Sequence, residues 1–189
     1  GMHGDTYVEE YHRAFFKHYA EGRELGDCGI EDIHIGGLAT LTPLILFHAA
    51  NRHAMHDAVA SHIDLTHKGP VAAEAAKVFA DLMYFLLQGV PIDDAIERAG
   101  GVAHTALTWP YRSWVRTRPD EEVVGTQFSP ACYLEDSLPA TLFLAVKYGA
   151  DLRAGLISNA RLGGDNCHRG VVLGALLGDA TQAQIDALL

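Results

Sequence analysis

The densest run of side chains able to do chemistry is Gly163-Gly164-Asp165-Asn166-Cys167-His168-Arg169. Two glycines free the backbone for a tight turn, and the carboxylate after them stands where a loop becomes a helix. An aspartate there either caps the helix by accepting from its first free N–H groups, or faces a cleft as an oxygen ligand. Cys167 and His168 bring sulfur and nitrogen, which with Asp165 suit zinc or manganese better than magnesium. Cys167 reads first as a buried structural thiol. In the first helical turn it could instead have a lowered pKa and act as a nucleophile with a histidine as base. Adjacent helical residues point about 100° apart, so Cys167 and His168 need not meet. Arg169 offers a planar fork for a phosphate, or a surface or ion-paired role.

Glu135-Asp136 is the other carboxylate pair, and there Asp136 or Ser137 can equally cap a helix. Eleven histidines invite metal readings. His53 and His56 lie one helical turn apart with His62 further along, yet no Glu completes a His-Glu-x-x-His pattern, so they read as solvent-facing helix residues. His67 follows Thr66 at a turn and is the histidine kept for a cleft. No Gly-x-Ser-x-Gly elbow, P-loop or dinucleotide fingerprint is present.

The elements that must position these residues are helices. Residues 6–20 carry apolar or aromatic side chains at helical spacing, with Asp5 as N-cap. A second helix spans 38–51, with Pro43 kinking it or marking its true start. A third runs from 52 or 53 to about 66, with Met55, Val59, Ile63 and Thr66 as its inner stripe. From 71 to 88 nearly everything is apolar except Glu74, Lys77, Asp81, Tyr84 and Gln88, spaced by threes and fours into one polar seam. Such a helix is buried around most of its circumference, so other helices must surround it. The expected fold is all-α, a multi-helix orthogonal bundle around that central helix, in a single domain over 1–189.

Further helices are expected over 91–99, from the Ser137 cap to about 148, from the Asp151 cap to about 161, from Asp165 to about 178, and over 181–189. Residues 104–127 read as loops with short helical turns. Gly170, Gly174 and Gly178 share one helical face, which implies close approach of a neighbouring helix. No strand and no repeat is evident.

A net charge of −10, from 14 basic and 24 acidic residues, argues against nucleic acid and anionic membrane surfaces. Three scattered cysteines form no disulfide framework and suggest a reducing, cytoplasmic setting. No apolar run reaches about 18 residues.

Three ordered stretches resemble the ADP-ribosylglycohydrolase (crystallin J1-like) family. Thr66-His67-Lys68-Gly69-Pro70 with the Ala-rich helix resembles its central turn and core helix. Glu135-Asp136-Ser137-Leu138-Pro139-Ala140 resembles the turn opening a late helix. Leu162-Gly163-Gly164-Asp165, with the helix ending Gly174-Ala175-Leu176-Leu177-Gly178, resembles its C-terminal metal-binding turn. The likeness covers roughly 38–178, weakest over 103–124.

The resemblance implies an all-α fold with two magnesium ions in a cleft. It also implies hydrolysis of the glycosidic bond between ADP-ribose, free or protein-linked, and an arginine, serine or nucleotide acceptor. It casts Asp165 and His168 as metal ligands, Asp165, Asp136 and Glu135 as catalytic carboxylates, and His67, Asn166 and Arg169 as substrate-binding residues. Two departures stand out. The family turn continues Thr-Asp-Thr after Gly-Gly-Asp, whereas Cys167 and His168 occupy the places of the second aspartate and last threonine. No Thr-Asp-Asp motif precedes Leu38, so the chain is expected to match the C-terminal two-thirds of a family member. The second reading is therefore a non-catalytic relative that binds ADP-ribose-like nucleotides or serves a structural role.

Overall fold

A computed structural model describes residues 7–100, 104–149 and 151–178, and over them the chain is an all-α bundle. The expected Asp5 cap and the 181–189 helix lie outside the described residues. Eleven helices are described: α1 (Glu10–Ala20), α2 (Gly36–Ala39), α3 (Thr42–His48), α4 (Arg52–Ile63), α5 (Pro70–Leu87), α6 (Ile92–Ala99), α7 (Tyr111–Thr117), α8 (Asp120–Val123), α9 (Leu134–Tyr148), α10 (Leu152–Leu162) and α11 (Asn166–Gly178).

α5 is the central helix that its sequence demands. It packs against α2, α3, α4, α6, α9 and α11, and buries Ala72, Ala75, Ala76, Val78, Phe79, Leu82 and Met83. Pro70 opens it, where a missing N–H costs nothing. The seam is split: Glu74, Lys77 and Gln88 are exposed, whereas Asp81 is buried and paired with Arg52 and His56. A second helix, α9, is buried as deeply, from Leu138 through Ala145, and packs against α5, α6, α7, α8, α10 and α11. The core thus has two central helices. Phe143 on α9 and Phe79 on α5 are fully buried, and truncating either to Ala would cost roughly 3–5 kcal/mol.

Several boundaries differ from the sequence reading for identifiable reasons. The second helix breaks at Thr40–Leu41, and Pro43 sits in the first turn of α3, marking its true start. α9 begins at Leu134, so Ser137 and Pro139 lie inside it, both buried, instead of capping it. The Ser-x-Pro pattern imitates a cap, but Pro139 here only deprives the Glu135 carbonyl of its i+4 donor. Asp151 caps α10 as expected, accepting from Ala154 N at 2.9 Å. Residues 111–117 form a full helix, held by packing among Trp109, Tyr111, Trp114 and Phe128.

A two-residue parallel pair, absent from the sequence reading, joins β1 (Ile30–Glu31) to β2 (His67–Lys68), with Ile30 opposite His67. Short as it is, this ladder fixes the segment after β1 beside the turn that opens α5.

The glycine face of α11 is only partly a close contact. A Cβ on Gly170 would lie 2.9 Å from Asn159 Nδ2, but one on Gly174 would meet only Leu156 at an ordinary 3.8 Å, and one on Gly178 nothing. The tightest approach comes from the facing helix, where a Cβ on Gly155 of α10 would sit 2.6 Å from Leu177 Cδ1.

Candidate active site

β1 leads directly into Asp32, which is only 7% exposed. Its Oδ1 accepts from the His34 backbone N–H at 2.8 Å, an Asx turn, and pairs with His34 Nδ1 at 2.8 Å. Asp and His two residues apart share one face of an extended segment, so local chain geometry alone builds this pair. A carboxylate on Nδ1 selects the Nδ1–H tautomer, and the Nε2 of this partly exposed ring has no partner among the described residues. The same segment is stitched to the start of α9: His34 bridges Tyr133, Ile35 N donates to Cys132 O, and Leu134 N donates to Ile33 O.

His67, from β2, lies almost wholly buried beside it. Thr66 Oγ1 holds its Nδ1 at 2.8 Å, and among the described residues its Nε2 has no hydrogen-bond partner, with Asp32 Oδ1 at 3.5 Å. Burial drives its pKa down to about 4, and the nearby His34, His12 and His168 act in the same direction against the pull of Asp32. Tyr11 of α1 fills the space between. Its ring centroid lies 4.2 Å from that of His67 and 4.5 Å from that of His12. Burial, then Glu9, Asp32 and Asp165, push its phenol pKa upward and keep it protonated.

Gly36 and Gly37 make room for this packing. A Cβ on Gly36 would strike the Tyr11 hydroxyl and lie 3.5 Å from His168 Cδ2, and one on Gly37 would lie 2.9 Å from His67 Cγ. Gly36 is therefore the point on which Tyr11 and His168 converge.

His168 arrives from the other end of the chain. Gly163 and Gly164 both take positive φ, 68° and 64°, where other residues are strained. Asp165 follows with its N–H on Pro130 O at 3.0 Å. Its Oδ1 accepts from His168 N at 3.3 Å and its Oδ2 pairs with His168 Nδ1 at 3.0 Å. The carboxylate thus both caps α11 and orients an imidazole, giving a second Asp–His pair whose Nε2 has no partner among the described residues. Cys132 lies near both carboxylates. Its thiol pKa is raised by burial, with further upward pushes from Asp165, Glu9 and Asp32.

The remaining sequence candidates fall into place around this cluster or away from it. Arg169 is fully buried, which corrects the expectation of a surface arginine. Its guanidinium donates to Asn159 Oδ1 at 2.6 Å, Gly163 O at 2.8 Å and Pro130 O at 3.3 Å, which pins the turn presenting Asp165. Asn166 turns its amide toward Ala160 O at 3.5 Å, at the end of α10. Cys167 is exposed, not a buried structural thiol. Glu135 is exposed and Asp136 half-buried in the first turn of α9. Neither side chain takes a hydrogen bond or ion pair among the described residues, though both lie close in sequence to the Tyr133–His34 bridge. His53 is exposed, but His56 pairs with buried Asp81 at 2.8 Å and is not simply solvent-facing. Asp32, His34 and Tyr11 are the cleft residues that sequence reasoning missed. The available signal was the Asp-x-His alternation running into Gly36-Gly37.

Magnesium favours about six oxygen ligands. Here Asp32 Oδ1 and both Asp165 oxygens are taken by imidazole and amide N–H groups. Among the described residues no three His, Cys, Asp or Glu side chains are grouped to hold one ion. As arranged, the donor set does not fit a magnesium ion. It fits proton transfer, because a carboxylate behind each imidazole fixes its tautomer and stabilises its protonated form.

No described helix is long and apolar enough to cross a membrane. Compared with curated proteins, the chain has no match. A family model for ADP-ribosylglycohydrolase matches residues 4–183, beginning well ahead of Leu38, so the segment carrying Tyr11, Asp32 and His34 shares in the likeness. With the fold, the ordered motifs and that match in agreement, the chain belongs to the ADP-ribosylglycohydrolase family.

Proposed function

We propose that this chain hydrolyses the glycosidic bond between an ADP-ribosyl group and its acceptor, in the cleft bounded by α1, the 32–37 segment and the start of α11. The observation that carries the reading is the pair of Asp–His couples, Asp32–His34 and Asp165–His168, set around Gly36. Family membership supports a hydrolase in general terms. One imidazole Nε2 accepts a proton from water as its oxygen bonds to the anomeric carbon. The bond from that carbon to the acceptor breaks with its electron pair, and the second imidazole, protonated, supplies the acceptor's proton. Neutral His67 and protonated Tyr11 are buried behind these couples and add no charge there.

The test is incubation with ADP-ribosylated arginine and serine peptides, with and without magnesium, manganese or zinc, and chromatographic measurement of released ADP-ribose. Release in the wild type should fall by about 10²-fold or more in His34→Ala and in His168→Ala, the usual range for losing an acid–base group. A second reading, a relative that binds ADP-ribose without cleaving it, is favoured by Cys167 and His168 standing where the family's turn carries Asp and Thr. Calorimetric binding of ADP-ribose with no release under any metal condition would select that reading. Neither binding nor release would overturn both.

A further inference from the structure

Away from the cleft, a groove of about 710 Å³ is lined by Arg52, His53, His56, Lys77, Asp81, Arg98 and Ala99, from α4, α5 and α6. Its charge runs against that of the molecule. The chain has 24 acidic and only 14 basic residues, yet three of the basic ones share this groove with a single carboxylate. That carboxylate, Asp81, is buried and already committed, its Oδ1 accepting from Arg52 Nε at 3.0 Å, Arg52 Nη2 at 2.7 Å and pairing with His56 Nε2 at 2.8 Å.

The arrangement is rigid on the Arg52 side. Its guanidinium is fixed by Asp81 and lies 5.5 Å from the Tyr84 ring centroid and 5.4 Å from that of Phe85. Arg98 reaches the same Phe85 ring at 6.0 Å. A guanidinium held through Nε and Nη2 is preorganised, so little further side-chain entropy is lost when it binds an anion. Lys77 and Arg98 make no hydrogen bond or ion pair among the described residues. The carboxylates of α6 that could neutralise Arg98 are drawn elsewhere, since Asp93, Asp94 and Glu97 all pair with Arg112. With the groove's one carboxylate already paired to Arg52, the charges of Lys77 and Arg98 are unmatched and repel one another, and an anion relieves that repulsion. A second groove, of about 530 Å³, shares His53, His56 and Lys77 with the first and carries Asp57 and Glu74. Those carboxylates disfavour an anion there and direct it to the Arg52–Arg98 end.

We infer that the groove between α4, α5 and α6 binds a phosphate-bearing small molecule, its phosphate held by Arg52, Lys77 and Arg98. The site is distinct from the Asp–His cleft and does not depend on the hydrolytic reading.

The test is calorimetric titration of inorganic pyrophosphate into the full chain at low and high salt. The expected result is saturable one-site binding, weaker at high salt, weakened at least tenfold in the Lys77→Ala/Arg98→Ala double variant, and unchanged in His168→Ala. Because Lys77 and Arg98 make no hydrogen bonds or ion pairs among the described residues and Arg98 only a 6.0 Å ring contact with Phe85, the double variant should melt close to the wild type, and Lys77→Arg should retain binding. Absence of binding would overturn the inference. So would binding that survives in the double variant, or binding lost in His168→Ala, which would place the anion in the cleft.

Discussion

His67 links the fold to pH in a way that can be measured without a substrate. Its ring is 1% exposed and packed against Tyr11, and burial lowers its pKa from 6.5 to about 4. The folded state therefore favours the neutral imidazole. Its stabilising share is complete above pH 6.5, where the unfolded chain is also neutral, and is lost as pH falls from 6.5 toward 4, because the unfolded chain takes up a proton first. At 1.36 kcal/mol per pH unit, the loss approaches about 3 kcal/mol by pH 4. Other groups titrate in this window, so the informative quantity is a difference. Urea unfolding of wild type and His67→Gln should be followed at several pH values from 7 to 4.5. The variant should be less stable at pH 7 by roughly 1–3 kcal/mol, through lost packing against Tyr11 and the lost Thr66 bond. Its stability should then fall less steeply, so that the gap narrows by about 2 kcal/mol by pH 5. Parallel curves would mean instead that His67 is protonated as readily folded as unfolded.

Other perturbations test other parts of the structure. Burial alone would raise the pKa of Asp120, but hydrogen bonds from Lys147, Ser158 and Tyr148 outweigh it and hold the carboxyl below its ordinary value. Asp120→Ala strands those donors and should cost about 3–5 kcal/mol in chemical denaturation. Gly174→Ala, with an ordinary 3.8 Å neighbour, should stabilise by up to about 1 kcal/mol through helix propensity. Gly170→Ala should gain less or destabilise, because Asn159 must shift. Cys167→Ser should change stability by less than about 0.5 kcal/mol, as expected at an exposed position.

How much of this was legible in the sequence depended on the range of the interaction that fixed each feature. The buried helix over 70–87 announced itself because its polar residues fall at helical spacing, a purely local pattern. The Gly163-Gly164-Asp165 turn was equally legible, since two positive φ angles require glycine. The fate of Asp81 was not, because its partners Arg52 and His56 come from another helix and cancel the cost of burying a charge. The start of α9 was misplaced because Ser137 and Pro139 satisfy a local capping pattern that tertiary packing overrides. Asp32 and His34 were overlooked because a two-residue ladder to His67 carries no hydrophobic signature, and only its pairing brings the two segments together. Arg169 looked like a phosphate fork and became a turn clamp, since the carbonyls it binds are exposed to it only by the glycine turn.

In the proposed hydrolysis, the two imidazoles backed by carboxylates move the protons. Single-turnover release of ADP-ribose from an ADP-ribosylated peptide, compared between wild type, His34→Ala, His168→Ala and the neighbouring Cys167→Ser, tests it most directly. Proton transfer by both imidazoles requires each histidine variant to slow by about two orders of magnitude or more while Cys167→Ser keeps the wild-type rate. Full turnover in either histidine variant, with the fold intact, would contradict it.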